Sequence, residues 1–205
     1  METMNSPEAE PVPRRRGRPA DVDPDRVALL ALRHFAEHGY ETTTMDDIAA
    51  LAGIGRRTLF RYFPSKPDLV WGGLEPVVDR MHEVLDAAPA DERPRDVIAR
   101  AITESLDLGP EGVEATRFRL RLMATDPALI GFGLTRLGAN RDILAEFIAR
   151  RLGVPAEALR AQVLADAISS ANFSALLWWA SRGEGDDPAA VAVEALDEVL
   201  RGLPG

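Results

Sequence analysis

The chain has 205 residues, 46% of them hydrophobic, with a net charge of −9 and no cysteine, so it can bury one substantial core and a smaller satellite domain. The lack of thiols excludes disulfides, cysteine nucleophiles and zinc–cysteine sites, and with three histidines we expect neither a cofactor nor a metal. Because no apolar run can cross a bilayer and none follows the N-terminal arginines, we expect a cytoplasmic protein without a membrane partner.

The N-terminal segment, residues 1–23, is rich in Pro, Glu and Arg and has no apolar periodicity, which predicts a flexible basic arm. It carries Arg14, Arg15, Arg16 and Arg18 around the sequence Arg-Gly-Arg-Pro. Arginines of this kind enter narrow A·T-rich minor grooves, whose negative potential attracts them. A solvated leader is the alternative. The arm shows how a basic surface can form locally on an acidic chain, since most of the acidic excess lies after residue 75.

Two helices are predicted next. The first covers Pro24 to His38, where apolar residues recur at helical spacing until Gly39 stops the run. Thr44 caps the second helix, and Asp47 three positions later completes a capping box.

A third helix is predicted from about Arg56 to Phe63, after the glycine turn at residues 53–55. Two short helices joined by such a turn form a helix-turn-helix, although an ordinary helical hairpin with a solvated basic face is the alternative. We expect Leu59, Tyr62 and Phe63 to share an apolar side with Ile48 and Leu51. The third helix would read DNA, because a helix fits the major groove and its first residues reach base edges.

The predicted DNA contacts fall into two groups. Base-edge or groove contacts are expected from the exposed side of the third helix, namely Arg56, Arg57, Thr58, Phe60 and Arg61. Phosphates would be held by free amides near Thr43 and Thr44, and by Lys66 at the start of the fourth helix. That fourth helix, capped by Ser65, is expected to continue to Ala87 and to connect the DNA-binding domain with the rest of the chain.

Further helices are predicted from the Pro and Gly breaks, at about residues 94–108, 111–125, 127–152, 155–181 and 187–201, with a weak glycine-containing stretch at 131–138. No segment alternates with a period of two. The sequence therefore predicts an all-α fold: a three-helix DNA-binding domain at residues 24–70, and a helical ligand-binding and dimerisation domain at 71–205.

The stretch TTTMDDIAALAGIGRRTLFRYFPSKPDL resembles the signature of the TetR family of bacterial regulators, and the resemblance covers about residues 24–72. It implies phosphate contacts from Tyr62 and Lys66. The position of Phe60 usually carries a tyrosine in that family, and that of His34 an apolar residue. A narrower resemblance, in GIGRRTLFRYFPSK followed by Trp71-Gly72, is to the TetR regulators of the mycofactocin redox-cofactor system. It implies a repressor whose inducing ligand is a long-chain acyl-coenzyme A.

The last two helices are the predicted homodimer surface, because a helix-turn-helix reads one half-site and a specific operator needs two. Their apolar and small faces are formed by Leu159, Val163, Ala167, Ser170, Ser174 and Leu177 on one helix, and by Val191, Ala195, Leu196, Val199 and Leu200 on the other. These faces could instead complete the core of the monomer. Trp178 and Trp179 cannot both face one core, so one of them should meet a partner or a ligand.

An effector pocket is expected among the central helices. Its candidate lining is apolar and adaptable: Trp71, Met81, Phe118, Leu122, Met123, Phe132, Phe147, Phe173 and Trp178. Each of these could equally be plain core. Arg117, Arg119 and Arg121 alternate along one helix, and one or more could bind a coenzyme A phosphate.

These patterns together predict a regulator that binds operator DNA as a homodimer and is released from a palindromic site by a small apolar effector. The alternatives are an acyl- or nucleotide-binding enzyme on a helical bundle, and a helical interaction protein without DNA affinity. The enzyme would need paired catalytic groups, and none is found in the sequence. The glycine turn at residues 53–55 does not predict a nucleotide site, because a helix and not a strand precedes it.

Overall fold

The computed structural model describes residues 22–182 and 185–202, so Arg14, Arg15, Arg16 and Arg18 lie outside the described residues. The described residues form helices and no strand, which confirms the all-α prediction. In chain order the helices are α1 (Pro24–His38), α2 (Met45–Leu51), α3 (Arg56–Tyr62), α4 (Lys66–Trp71), α5 (Glu75–Ala87), α6 (Pro94–Ser105), α7 (Gly109–Thr125), α8 (Pro127–Leu152), α9 (Leu159–Ser181) and α10 (Pro188–Arg201). None of the described helices is long and apolar enough to cross a membrane.

The first two helices begin and end where the sequence predicts. The side chain of Asp23 accepts hydrogen bonds from two backbone N–H groups of the first turn of α1, and Gly39 ends the helix at a φ of 90°. The capping box of α2 is present, since the Thr44 hydroxyl accepts from the Asp47 amide and the Asp47 carboxylate accepts from the Thr44 amide.

The expected single helix from Lys66 to Ala87 is wrong. The chain leaves α4 after Trp71, and Gly73 has a φ of 72°, which ends helical geometry before α5 begins. The cause is a close approach to α1 and α3. A β-carbon on Gly72 would lie 2.7 Å from the Phe63 ring and 2.9 Å from the Ala28 side chain. The chain therefore passes from the first three helices to the rest of the protein through the six-residue helix α4 and a short turn.

The later helices differ from expectation mainly at their ends. α6 stops at Ser105, short of Leu108, and α9 begins at Leu159 because residues 155–158 form a turn closed by the Ala158 amide on the Pro155 carbonyl. α8 is continuous through its three glycines. Gly133 has a packing reason there, since a β-carbon would lie 2.0 Å from the Trp71 ring.

Two hydrophobic cores divide the molecule. One joins α5, α6, α8, α9 and α10. The other surrounds Phe35, Ile48 and Leu59 of the first three helices but also contains Trp71, Met123 and Trp179. Among the DNA-binding helices, α1 packs on α7 and α4 packs on α8, so the position of the helix-turn-helix depends on how these two contacts are held. The division at residue 70 stays a prediction.

Candidate nucleic-acid interface and ligand cavity

The position of α3 is fixed by the buried side chains with which it packs against α2. Leu59 is fully buried and Phe63 nearly so, and they fill the space against Ile48 of α2. Tyr62 and Leu51, expected on the same apolar side, are 39% and 48% exposed. That expectation was wrong because two side chains four residues apart already complete the contact of so short a helix. Tyr62 is therefore at the surface, where its hydroxyl accepts a hydrogen bond from Arg61 at 3.3 Å.

The outer face of α3 is basic, as predicted. Arg56, Arg57 and Arg61 are exposed, while Thr58 and Phe60 are half-buried. The Arg56 guanidinium lies 5.3 Å from the centre of the Phe60 ring and donates to Asp46 of α2 at 2.9 Å. Phe60 is thus partly covered by an arginine, and Arg56 is held by a carboxylate at the surface that would meet DNA.

At the start of α2 the amide of Thr44 is already bonded within the protein. The Thr44 amide donates to the Asp47 carboxylate at 2.8 Å. Hydrogen bonds from Thr44 to this carboxylate also hold the pKa of Asp47 below its usual value. Thr43 is only 3% exposed, and its hydroxyl donates to the Gly39 carbonyl at 2.8 Å. Buried Thr43 and exposed Thr44 therefore both stabilise the connection between α1 and α2.

Lys66 has a structural role that the sequence did not reveal. Its ammonium donates to the carbonyls of Tyr40, Glu41 and Thr43 at 2.7, 3.4 and 3.3 Å, and lies 4.3 Å from the Tyr40 ring centre. Burial raises the pKa of Tyr40 to about 12, so the ring is neutral beside the cation. Lys66 therefore ties the first residue of α4 to the loop that places the helix-turn-helix.

A cavity of about 520 Å³ lies among the helices from α4 to α9. Of the predicted lining residues, Trp71, Met81, Met123 and Phe173 lie on its wall. Phe118 and Leu122 do not, because they pack against the N-terminal core, and Phe147 lies in the other core. Phe132 and Trp178 are surface residues. The prediction failed for these residues because the spacing of apolar residues along α7, α8 and α9 does not distinguish positions on the cavity wall from positions in the core.

Most of the polar part of the cavity wall was missed. Besides Arg119, it includes Asn140, Arg141, Asp166 and Asn172. Arg141 of α8 donates to Asp166 of α9 at 2.7 Å and also bonds Gln162. The hydrogen bond from Arg141 lowers the pKa of Asp166, which stays ionised. A cavity with an apolar body and a few placed polar groups can both hold and orient a ligand.

The arginines of α7 cap helix ends instead of facing a phosphate. Buried Arg119 donates to the carbonyls of Val70 and Gly72, both at 2.7 Å, and desolvation lowers its pKa to about 10. Arg117 and Arg121 donate to carbonyls at the C-terminal end of α9. Carbonyls that end a helix need such donors. The expected coenzyme A phosphate contact therefore has no support from the placement of these three side chains.

The outer face of α9 carries an apolar stripe. Leu159 is 79% exposed, Val163 and Trp178 are about half exposed, and the small residues Ser170 and Ser174 lie between them. Trp179, by contrast, is fully buried, so the two tryptophans do face different environments as predicted. On α10, Leu196 belongs to the core and Leu200 is exposed, and α10 packs against α9.

Two family models match the chain. Residues 30–70 match the family described as bacterial regulatory proteins, tetR family, and residues 92–204 match the MftR C-terminal domain. The second match covers more than half of the chain.

The chain is also similar to known proteins over most of its length. It is 30% identical to a Mycobacterium tuberculosis protein named as a mycofactocin biosynthesis transcriptional regulator, MftR, over 80% of this chain and 82% of that protein. FadR of Bacillus subtilis, solved with stearoyl-CoA, has a TM-score of 0.64 and 18% identity over 87% of this chain and 98% of that one. FadR of Thermus thermophilus, solved with lauroyl-CoA, has a TM-score of 0.62 and 21% identity over 88% and 95%.

Proposed function

The chain belongs to the TetR family of bacterial regulatory proteins and is a transcriptional regulator, not an enzyme; on that premise we propose that it is a cytoplasmic repressor released from its operator when an apolar effector fills the cavity. The observation that carries the proposal is the position of α4, which contacts both the DNA-binding part and the cavity. The first residue of α4, Lys66, bonds to the loop between α1 and α2, and its last residue, Trp71, lies on the cavity wall.

The DNA side of the proposal rests on α3. Arg56, Arg57 and Arg61 are exposed on one short helix whose inner row is locked in the core, so they can enter the major groove without rearranging the domain. Tyr62, at the surface beside Arg61, is placed to reach a phosphate, as the family resemblance implies.

We propose a homodimer formed through the outer face of α9 and α10, which would place two recognition helices on the two half-sites of a palindrome. An exposed leucine, valine and tryptophan along one helix, separated by serines, allow a second copy of the same face to approach closely. Residues 1–20 would add minor-groove contacts next to each half-site.

The proposed effector is an apolar molecule, with a long-chain acyl-coenzyme A as the leading candidate. A volume of about 520 Å³ is in the range of small-molecule sites. Two solved neighbours of the same fold contain lauroyl-CoA and stearoyl-CoA, which supports this class of ligand. The acyl chain would occupy the apolar body of the cavity, and the nucleotide end of coenzyme A would lie outside it.

The proposed switch acts at the C-terminal end of α4, where two side chains hold the backbone and the last residue in place. The Trp71 indole donates to the Leu129 carbonyl at 2.7 Å, and Arg119 holds the carbonyls of Val70 and Gly72. Trp71 and Arg119 both line the cavity. A ligand that favours a different placement of these two side chains shifts α4 and, through Lys66, the recognition helix.

A mobility-shift assay on the DNA upstream of its own gene tests the proposal. We expect a shifted band that disappears when oleoyl-coenzyme A is added at micromolar concentration, and that needs a higher protein concentration in the variant Arg57→Ala. Failure of the wild-type protein to shift this DNA at low salt would contradict the repressor assignment. A band that resists the ligand, while calorimetry shows the ligand bound, would contradict the switch.

A further inference from the structure

Two carboxamides on the cavity wall have unused hydrogen-bonding groups. Asn140 of α8 and Asn172 of α9 both line the cavity. The side-chain oxygens of both residues are buried, and neither has a hydrogen-bond partner among the described residues. Few buried polar atoms in a folded protein lack a partner, and each costs free energy unless something supplies one. Two of them on the wall of one cavity indicate a polar position for a ligand in a mostly apolar site.

The neighbouring charged groups do not need a ligand. Arg141 already donates to Asp166 and Asp142, and bonds Gln162 as well. The Gln162 amide in turn donates to the Ala156 carbonyl at 2.7 Å. The salt bridge between α8 and α9 therefore needs no ligand. The groups on this part of the wall that lack a partner are the oxygens of the two neutral carboxamides.

We propose that Asn140 and Asn172 form a polar recognition site, and that the part of the effector inside the cavity carries an uncharged hydrogen-bond donor such as a hydroxyl or an amide N–H, which coenzyme A also has. The inference rests on the proposed function, in that the cavity is the effector site. A carboxamide oxygen accepts and its nitrogen donates, so a group that both donates and accepts satisfies it in either orientation. Esters and hydrocarbons cannot donate, and they leave the two oxygens unpaired.

Binding of three uncharged probes of similar length tests this. 1-Decanol and decanamide carry a donor, and methyl nonanoate does not. Titration is followed by tryptophan fluorescence, because Trp71 lies on the cavity wall, and is repeated by calorimetry. We expect the two donors to bind the wild-type protein about tenfold more tightly than the ester, which is the size of effect that one buried hydrogen bond gives.

The variants Asn140→Leu and Asn172→Leu, made singly, are expected to reduce that preference to less than about twofold. They should also raise the melting temperature of the ligand-free protein, because an unpaired buried polar group is replaced by an apolar one. The matched control is Gln162→Leu, the same change at an amide that has partners. It should lower the melting temperature and keep the preference for donors.

The outcomes separate the two claims. If the wild-type protein binds the ester as tightly as the alcohol, or if both Asn variants retain the tenfold preference, the carboxamide site is wrong while the cavity remains an effector site. If none of the three probes binds the wild-type protein, the effector cavity and this inference fail together.

Discussion

The Lys66 ammonium holds the start of α4 to the loop between α1 and α2 through three carbonyls. Sequence and family resemblance both suggested a phosphate contact for this residue. A helical pattern places a lysine at a helix start, but it cannot show that three carbonyls of a loop some twenty-five residues earlier converge on it.

Replacing Lys66 by Met should lower the free energy of unfolding by about 1–2 kcal/mol, since a partly buried charged donor is removed from three acceptors. The slope of the logarithm of DNA affinity against the logarithm of salt concentration should stay unchanged. Arg57→Met is the control with the opposite signature: unchanged stability in urea, and a slope smaller by about one. A smaller slope in Lys66→Met would return this residue to the phosphate contacts.

Asp46 is the acidic residue that faces the DNA-reading surface, paired with Arg56 at 2.9 Å. Both side chains are well exposed, so the pair itself contributes little stability. Asp46→Asn should strengthen operator binding several-fold, because it frees the Arg56 guanidinium and removes a charge that repels phosphate. Fluorescence anisotropy with labelled operator measures this, and unchanged or weaker binding would show that the pair instead orients Arg56 for DNA.

At the level of elements, the backbone of α8 packs closely against the Trp71 ring because residue 133 is a glycine and has no β-carbon. Gly133→Ala would push a methyl group into the indole, whose nearest atoms lie 2.0 Å from the ideal β-carbon. We expect a loss of about 1–3 kcal/mol in urea unfolding from this overpacking, together with a weaker effector response. Gly131→Ala on the same helix meets nothing within 4 Å and should gain up to about 1 kcal/mol from helix propensity. Equal stabilities for the two variants would contradict the contact.

Helix positions were predictable where caps and breakers are strong. The Thr44 capping box, Gly39 and the prolines at helix starts gave bounds for α1, α2 and α8 that the structure confirms. The break after Trp71 was missed because the apolar spacing continues across it, although the Gly72-Gly73 pair is a breaker signal in the sequence. What the sequence does not show is the close tertiary approach of Gly72 to Phe63 and Ala28.

At the level of the whole molecule, arginine–aspartate pairs join helices that are distant in the chain, among them Arg95 with Asp197 between α6 and α10, and Arg141 with Asp166 between α8 and α9. Hydrogen bonds from these arginines lower the pKa values of both aspartates below the usual 3.8. A lowered pKa in the folded state means that the stabilisation is complete above the usual value and is lost as pH falls through the lowered one.

Acidification below about pH 4 should therefore reduce the melting temperature of the wild-type protein more steeply than that of Asp197→Asn. At pH 7 the variant should be the less stable of the two, and the difference should shrink toward low pH. Parallel curves for the two proteins at all pH values would show that the pair with Arg95 does not contribute.

The DNA-binding function of the N-terminal part of the chain could be predicted from the sequence, because the TetR signature is dense at residues 42–69. The residues of the cavity wall could be predicted only in part. Trp71, Met81, Met123 and Phe173 were identified from their chemistry, whereas Asn140 and Asn172 carry no motif and acquire meaning only once α8 and α9 are packed together.

Reciprocal titration tests the central claim, that filling the cavity and binding DNA oppose each other, most directly. The affinity for oleoyl-coenzyme A or 1-decanol is measured with and without saturating operator, and the affinity for operator is measured with and without saturating ligand. The account predicts that each weakens the other by the same factor, about 5- to 150-fold. A ternary complex in which both affinities are unchanged would contradict it.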